Sequence, residues 1–366
     1  MTRALPFLLL AACAGGPADD GTDTDAVAGV GVRTIPVGER LVEVWYPSSD
    51  PVGTDTIALV DHVPAAFTDR VGPEFPLPSF DHPARRDATA AEPTGPDGWP
   101  VLLFSHGFGG FRTQSASLCA EAAAQGYVVV STDHPGRTLG DIVPCLLDPP
   151  AGDCQLAFPP DFDGEDPALD DLAALADWLD QGAAGLDLPV DPDRWGLFGH
   201  SAGGGSTSAF ASQDPRIDAA LALAGAGTFT RSLPSGVIGG SCDGIVAEAD
   251  LQAVGPSTSD GYWSIPGAGH LAFSDLCAVD LGALADELEA RDDANGLYLF
   301  GLRALAVDGC PDVTPRVEDP ACEGAFLPLA RTDAVLEVAV PAFFDAHLKG
   351  AGDGLGADLS ADLVRR

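Results

Sequence analysis

Positive charge is what this chain has least of. Lys and Arg number 18 against 55 Asp and Glu, a formal net charge of −37 over 366 residues. A phosphate backbone needs a basic face to hold it, so nucleic-acid binding is excluded as a function class. The same charge repels anionic membranes and polymers, and its general effect is to keep the protein in solution. Long apolar runs are missing too: the stretch at residues 4–12 is too short to cross a bilayer. Neither Cys-x-x-Cys nor a Cys/His metal-ligand spacing occurs, so no metal or other cofactor is expected. No internal repeat recurs. Hydrophobic residues make up 46% and aromatics 7%, which suffices for a packed core and argues against disorder of the whole chain.

The N-terminus carries one positive charge at Arg3, the apolar stretch, and small residues before Cys13, which is the form of a secretory signal. Leu10-Ala11-Ala12-Cys13 is similar to a bacterial lipobox, in which the cysteine becomes the lipidated first residue of the mature protein. Residues 1–12 are therefore expected as a signal peptide. Residues 13–28, with the acidic run GGPADDGTDTD, are expected as a flexible tether with nothing to bury. This predicts an exported envelope lipoprotein, periplasmic or surface-exposed, touching a membrane only through lipid on Cys13. An ordinary cleaved signal and free secretion is the alternative. Seven cysteines follow, and an exported chain can oxidise them. Connectivity does not follow from sequence, but Cys145–Cys154, Cys310–Cys322 and Cys242–Cys277 are economical pairs. They leave Cys119, in an Ala-rich helical stretch, as a small buried hydrophobe.

Strand-like runs occur at 30–37, 40–45, 100–105, 127–131, 217–223, 236–240 and 262–265. Helical patterns cover 113–125, 166–181 and 332–348, the last with Pro341 expected to kink it. Few clear elements appear between 46 and 99, and 134–163 reads as an insertion. Strands alternating with helices predict an α/β fold, a doubly wound and mostly parallel sheet with helices on both faces. One domain over 29–350 is expected, with 351–366 as a C-terminal tail.

The most informative segment is Gly199-His200-Ser201-Ala202-Gly203, a Gly-x-Ser-x-Gly that ends a short apolar run and opens a run of small residues. A serine on a sharp strand-to-helix turn is pushed out of the sheet, and glycines at 199 and 203 keep side chains away from the packed turn. The following helix points its first N–H groups at the space where an oxyanion develops, which makes the N–H of Ala202 one donor. Seven histidines compete to be the base. His270 ends Ile265-Pro266-Gly267-Ala268-Gly269-His270, a glycine-flanked loop after a strand, able to deliver an imidazole over the carboxyl edge of the sheet. Asp243, just past a strand in Gly240-Ser241-Cys242-Asp243-Gly244, is the acid that would hold the imidazole tautomer. The glycine turn Ser105-His106-Gly107-Phe108-Gly109-Gly110 supplies the N–H of Phe108 as second oxyanion donor. That turn has neither the P-loop lysine nor dinucleotide spacing.

The order Ser105-His106-Gly107, Gly199-His200-Ser201-Ala202-Gly203, Asp243, His270 resembles the α/β-hydrolase superfamily. Phe104-Ser105-His106-Gly107-Phe108-Gly109-Gly110-Phe111-Arg112-Thr113 with Asp133-His134-Pro135-Gly136 resembles the predicted dienelactone hydrolases, the platelet-activating-factor acetylhydrolases and, more distantly, cutinase-like polyester hydrolases. The similarity runs from about 30 to 350 and is strongest between 99 and 225. It implies a serine esterase with the roles just assigned. Dienelactone hydrolases use a cysteine nucleophile, so Ser201 departs from them and their substrate does not carry over. The acetylhydrolases often place the acid one strand earlier, where this chain has no aspartate, which favours Asp243. Lipid, short acyl and polyester substrates all remain open. Phe108, Phe111, Tyr262 and Trp263 are candidate pocket residues. An amidase or peptidase of the same fold and a non-catalytic surface lipoprotein are the rival readings. Sequence gives no oligomeric state.

Overall fold

The computed structural model describes residues 27–366 except 76, 94, 153–165, 279–280, 292–293, 297–326 and 357. The expected signal peptide, Cys13, most of the tether, Cys154, Cys310 and Cys322 lie outside the described residues. Two antiparallel strands come first, β1 (Gly29–Val37) and β2 (Arg40–Ser48), paired from Gly29↔Ser48 to Val37↔Arg40. The stretch up to Trp99 then holds more structure than its composition suggested. It contains a hairpin of β3 (Asp55–Ala58) and β4 (Ser79–His82), the helix α1 (Ala65–Val71), and the short β5 (Arg85–Arg86) on the edge of β1.

The alternating part runs β6 (Trp99–Ser105), α2 (Ala116–Ala124), β7 (Val128–Thr132), α3 (Leu139–Ile142), α4 (Pro167–Asp180), β8 (Val190–His200), α5 (Ala202–Gln213), β9 (Ala219–Leu223), β10 (Ser235–Gly240), α6 (Glu248–Val254), β11 (Tyr262–Ile265), α7 (Leu281–Glu289), α8 (Leu329–Phe344) and β12 (Val364–Arg365). Among the described residues the sheet has ten strands in the order β12-β11-β10-β9-β8-β6-β7-β2-β1-β5. Strands β7, β6, β8, β9, β10 and β11 are parallel, and β2 and β12 flank them antiparallel. The expected doubly wound, mostly parallel α/β sheet is the observed one.

Period-2 alternation on the central strands explains the two cores. Leu102, Phe104 and Phe198 face α2 and α8, against Ala120, Ala123, Leu336, Val340 and Phe344. Val101, Leu103 and Leu197 face the other way, onto Leu172, Leu175 and Leu179 of α4 and Phe210 of α5. Because both faces are covered, β6 reads as an unbroken apolar run. Helix α8 continues through Pro341 and ends in a π-turn at Asp345–Lys349. Residues 351–366, expected as a tail, are built into the domain: Leu355 and Leu363 are buried in the first core, and β12 pairs with Trp263 and Ser264 of β11. Two short ladder positions among Gly and Asp carry no periodic signal, so this strand was invisible in the sequence.

Chain order places the site. From β6 the chain steps to β7 on one side, then crosses to β8 on the other. The carboxyl ends of β6 and β8 are therefore a switch point, where an α/β sheet leaves an open crevice. A third apolar cluster joins Phe67 and Val71 of α1, Val143 and Leu146 of the turn after α3, and Leu284 and Leu288 of α7. The chain from α3 meets the glycine turn at this edge, through Leu139 N–H donating to Gly110 O at 2.8 Å.

Candidate active site

Ser201 occupies the turn between β8 and α5 with φ +58° and ψ −122°, a conformation that costs a non-glycine residue energy and is retained where the surroundings dictate it. Its N–H donates to Leu223 O of β9 at 2.8 Å, which pins the turn to the next strand. A Cβ on Gly199 would lie 2.4 Å from Gly203 O, and one on Gly203 would lie 2.0 Å from Ser105 O. Both glycines are thus required by close backbone approach. Helix α5 begins at Ala202, so the N–H of Ala202 has no intrahelical acceptor.

His270 follows β11 in the glycine-flanked loop, and Asp243 follows β10. The two loops are stitched together by Ser241 N–H to Ile265 O at 3.2 Å, Cys242 N–H to Ala268 O at 3.0 Å, and Gly267 N–H to Ser241 Oγ at 2.9 Å. His270 Nε2 lies 2.8 Å from Ser201 Oγ, and His270 Nδ1 lies 2.8 Å from Asp243 Oδ2. The other Asp243 oxygen accepts from the N–H of Ile245 at 2.9 Å and of Val246 at 2.6 Å. A carboxylate so held can only accept, so Nδ1 carries the proton and Nε2 is free to take one from Ser201. Ser201 is half-buried, whereas His270 and Asp243 are buried.

The glycine turn packs on the serine: a Cβ on Gly107 would sit 3.1 Å from Ser201 Cβ. Phe108, next in the chain, is half-exposed beside it. Of the pocket residues proposed from sequence, Phe111 is buried and stacked on His62 at 4.1 Å. Tyr262 and Trp263 are also buried, but as members of the cores on either side of β11, with Trp263 Nε1–H donating to Asp260 O. They are packing residues, since strand alternation sends them into the two faces and away from the crevice. Burial, with the Arg112 charge beside it, pushes His62 down to about 4.

Sequence reading missed a second, largely buried polar cluster beneath the glycine turn. Ser105 Oγ lies 3.0 Å from His134 Nε2, and His134 Nδ1 lies 3.2 Å from Asp171 Oδ2, while Arg40 binds the other oxygen, Asp171 Oδ1, at 2.8 Å. Arg137 donates to Ser105 Oγ at 3.2 Å and to His106 O at 2.8 Å, with its other nitrogen on Asp166 and Ser206 at 3.0 Å. Burial, then the Arg137 charge, pushes His134 well below its ordinary range, so the imidazole is neutral. The run Asp133-His134-Pro135-Gly136 was visible in the sequence, but its partner Asp171 lies on α4, beyond the insertion. His106 is held similarly, its Nδ1–H on Gly107 O at 2.7 Å and its Nε2 accepting from His134 N–H at 2.9 Å.

Among the described residues no cluster of His, Cys, Asp and Glu is arranged to hold a metal ion, and no helix is long and apolar enough to cross a membrane. Cys145, Cys242 and Cys277 are each disulfide-bonded, and Cys119 is a free, buried thiol on α2. The expected Cys145–Cys154 and Cys310–Cys322 pairs reach outside the described residues.

Comparison with known proteins bears on this geometry. Residues 72–139, which carry the glycine turn, match the family model of platelet-activating factor acetylhydrolase, isoform II. A platelet-activating factor acetylhydrolase from Gallus gallus is 47% identical over 36 residues, 10% of this chain, and that segment spans only 8% of the relative's length. The fold is similar to the solved structure of a ferulic acid esterase from Streptomyces cinnamoneus, with a TM-score of 0.56 and 23% identity over 92% of this chain and 96% of that one. Sheet order, the strained serine turn at the switch point, and this similarity together give the chain an α/β-hydrolase-type fold.

Proposed function

We propose that this protein is a serine esterase that cleaves carboxylic esters through an acyl-serine intermediate. The reading is carried by the continuous path Asp243 Oδ2···His270 Nδ1 and His270 Nε2···Ser201 Oγ, each 2.8 Å. Ser201 Oγ attacks the ester carbonyl as its proton passes to His270 Nε2, and Asp243 stabilises the imidazolium. The tetrahedral oxyanion is received by the N–H groups of Ala202 and Phe108. Collapse expels the alcohol, which takes the proton from His270. Water then enters by the same steps and releases the acid.

The match to an acetylhydrolase family across the glycine turn supports an ester whose acyl group is short. Amide cleavage by the same three side chains is the rival. Purified protein should hydrolyse p-nitrophenyl acetate and butyrate, and Ser201→Ala should lose about 10³-fold or more of kcat. A parent without turnover, or a variant that keeps it, sinks the reading. Export and a lipid on Cys13 are part of the proposal, supported by the lipobox-like sequence and by oxidised Cys145, Cys242 and Cys277. The mature protein should partition into detergent with a lipidated Cys13 at its N-terminus. Recovery in the aqueous phase with that cysteine unmodified removes the anchor.

A further inference from the structure

Gln114 and His200 are buried, polar, and unused by the chemistry above. Gln114 lies between the glycine turn and α2, and His200 is the variable residue inside the serine turn. Three hydrogen bonds run through them. Gly107 N and Gln114 Oε1 are 2.9 Å apart, Gln114 Nε2 and His200 Nδ1 are 2.7 Å apart, and His200 Nε2 and the backbone O of His270 are 2.9 Å apart. The backbone O of Gln114, separately, accepts from Asp275 N–H at 3.0 Å, just beyond the base loop.

The direction of every proton in this chain is determined by its ends. The carbonyl of His270 only accepts, so His200 Nε2 must donate. Burial pushes His200 down to about 3, so the ring is neutral and Nδ1 is a bare acceptor. Gln114 must then present its NH₂ to His200, which turns its carbonyl oxygen to the Gly107 N–H. That N–H can only donate, so all three bonds agree and no amide flip or second tautomer satisfies them. Space forbids a slack version: a Cβ on Gly110 would come within 1.9 Å of Gln114 Oε1, and one on Gly107 within 3.4 Å of His200 Nδ1.

We propose that Gln114 and His200 form a proton-ordered bridge that sets the oxyanion-bearing glycine turn in register with the base-bearing loop. Both are positioning residues for the esterase reaction proposed above, and the inference rests on that reading. The bridge acts between the N–H of Gly107, one residue before Phe108, and the backbone O of His270, so it fixes the distance between the place where charge develops and the place where the proton goes. Neither side chain reaches the reacting atoms. Cutting it should therefore leave substrate binding in place and lower the chemical step.

The test compares the parent with Gln114→Leu, His200→Phe and the double variant, all as the full chain, with active sites counted by a fluorophosphonate. Per active site, each single variant should lose about 10- to 100-fold in kcat on p-nitrophenyl acetate, less than deletion of an oxyanion donor, with KM changed less than about 3-fold. The double variant should be no more than about 3-fold worse than the poorer single, because one bridge is broken once. Singles within about 3-fold of the parent, or losses that multiply in the double, overturn the bridge. Should the variants fail to fold, the imidazole ¹⁵N spectrum of the parent decides. A neutral Nε2–H His200 between about pH 5 and pH 9 supports the proposal, and an Nδ1–H or charged ring overturns it. A parent that neither labels nor turns over refutes the esterase reading by itself, while the same spectrum still reports on the bridge.

Discussion

Two serines end neighbouring strands of this sheet, and each meets an imidazole backed by an aspartate. Ser201 with His270 and Asp243 opens to the crevice. Ser105 with His134 and Asp171 is fully enclosed, and its oxygen also accepts from Arg137. Interatomic distance does not separate them, since 2.8 Å and 3.0 Å are both ordinary hydrogen bonds. Access and charge do. A guanidinium on Ser105 Oγ occupies the lone pair an attacking alkoxide needs, and no substrate carbonyl reaches a fully buried strand end. A fluorophosphonate should accordingly label Ser201 alone, and Ser201→Ala should abolish labelling although the second set is untouched. Peptide mapping by mass spectrometry checks this, and adduct on Ser105 refutes the distinction.

Elements carry a different lesson. Helix α8 packs over α2, and Asp333 in its first turns lies near Asp275 of the base loop. Burial, the neighbouring Asp275 charge and then Glu337 push Asp333 up to about 7. Burial likewise raises Asp275 to about 6, although it accepts from Ser117 N–H at the start of α2 at 2.9 Å. Both folded-state values lie above the unfolded carboxyl range, so the native state binds protons that the unfolded chain has released. Their stabilising contribution is complete below about pH 4 and is lost as pH rises through about 6 to 7. Asp333→Asn should therefore raise Tm at pH 8 by about 2 °C, the scale of roughly 1 kcal/mol for a domain of this size, and leave Tm at pH 4 nearly unchanged. Scanning calorimetry at the two pH values measures it, and an equal shift at both refutes the carboxyl pairing. The sequence showed α8 and the 262–265 strand because apolar periodicity is local. It did not show that Asp275 caps α2 from 158 positions away, because that contact exists only once the sheet has brought the two segments together.

At the scale of the whole molecule, the 55 acidic residues act as one field. Self-repulsion at net −37 opposes compaction, and salt screens exposed charges within about 10 Å at 0.1 M. Tm should rise by several degrees as NaCl goes from a few millimolar to about 0.5 M, with most of the gain below 0.2 M. A flat or falling curve means that local ion pairs such as Arg86–Glu43 and Arg216–Asp214 outweigh the general repulsion. What the sequence by itself determined about this protein is whatever neighbouring residues decide. That covers the parallel core strands, the sharp serine turn with its required glycines, and the chain order of Ser201, Asp243 and His270. Tertiary structure alone decided which polar side chains face one another across those turns. Gln114 meets His200 over 86 positions and His134 meets Asp171 over 37, while β12 finds the sheet edge with two residues. Such pairings depend on where separate loops converge at one switch point, and buried polar groups must be satisfied by whatever arrives there.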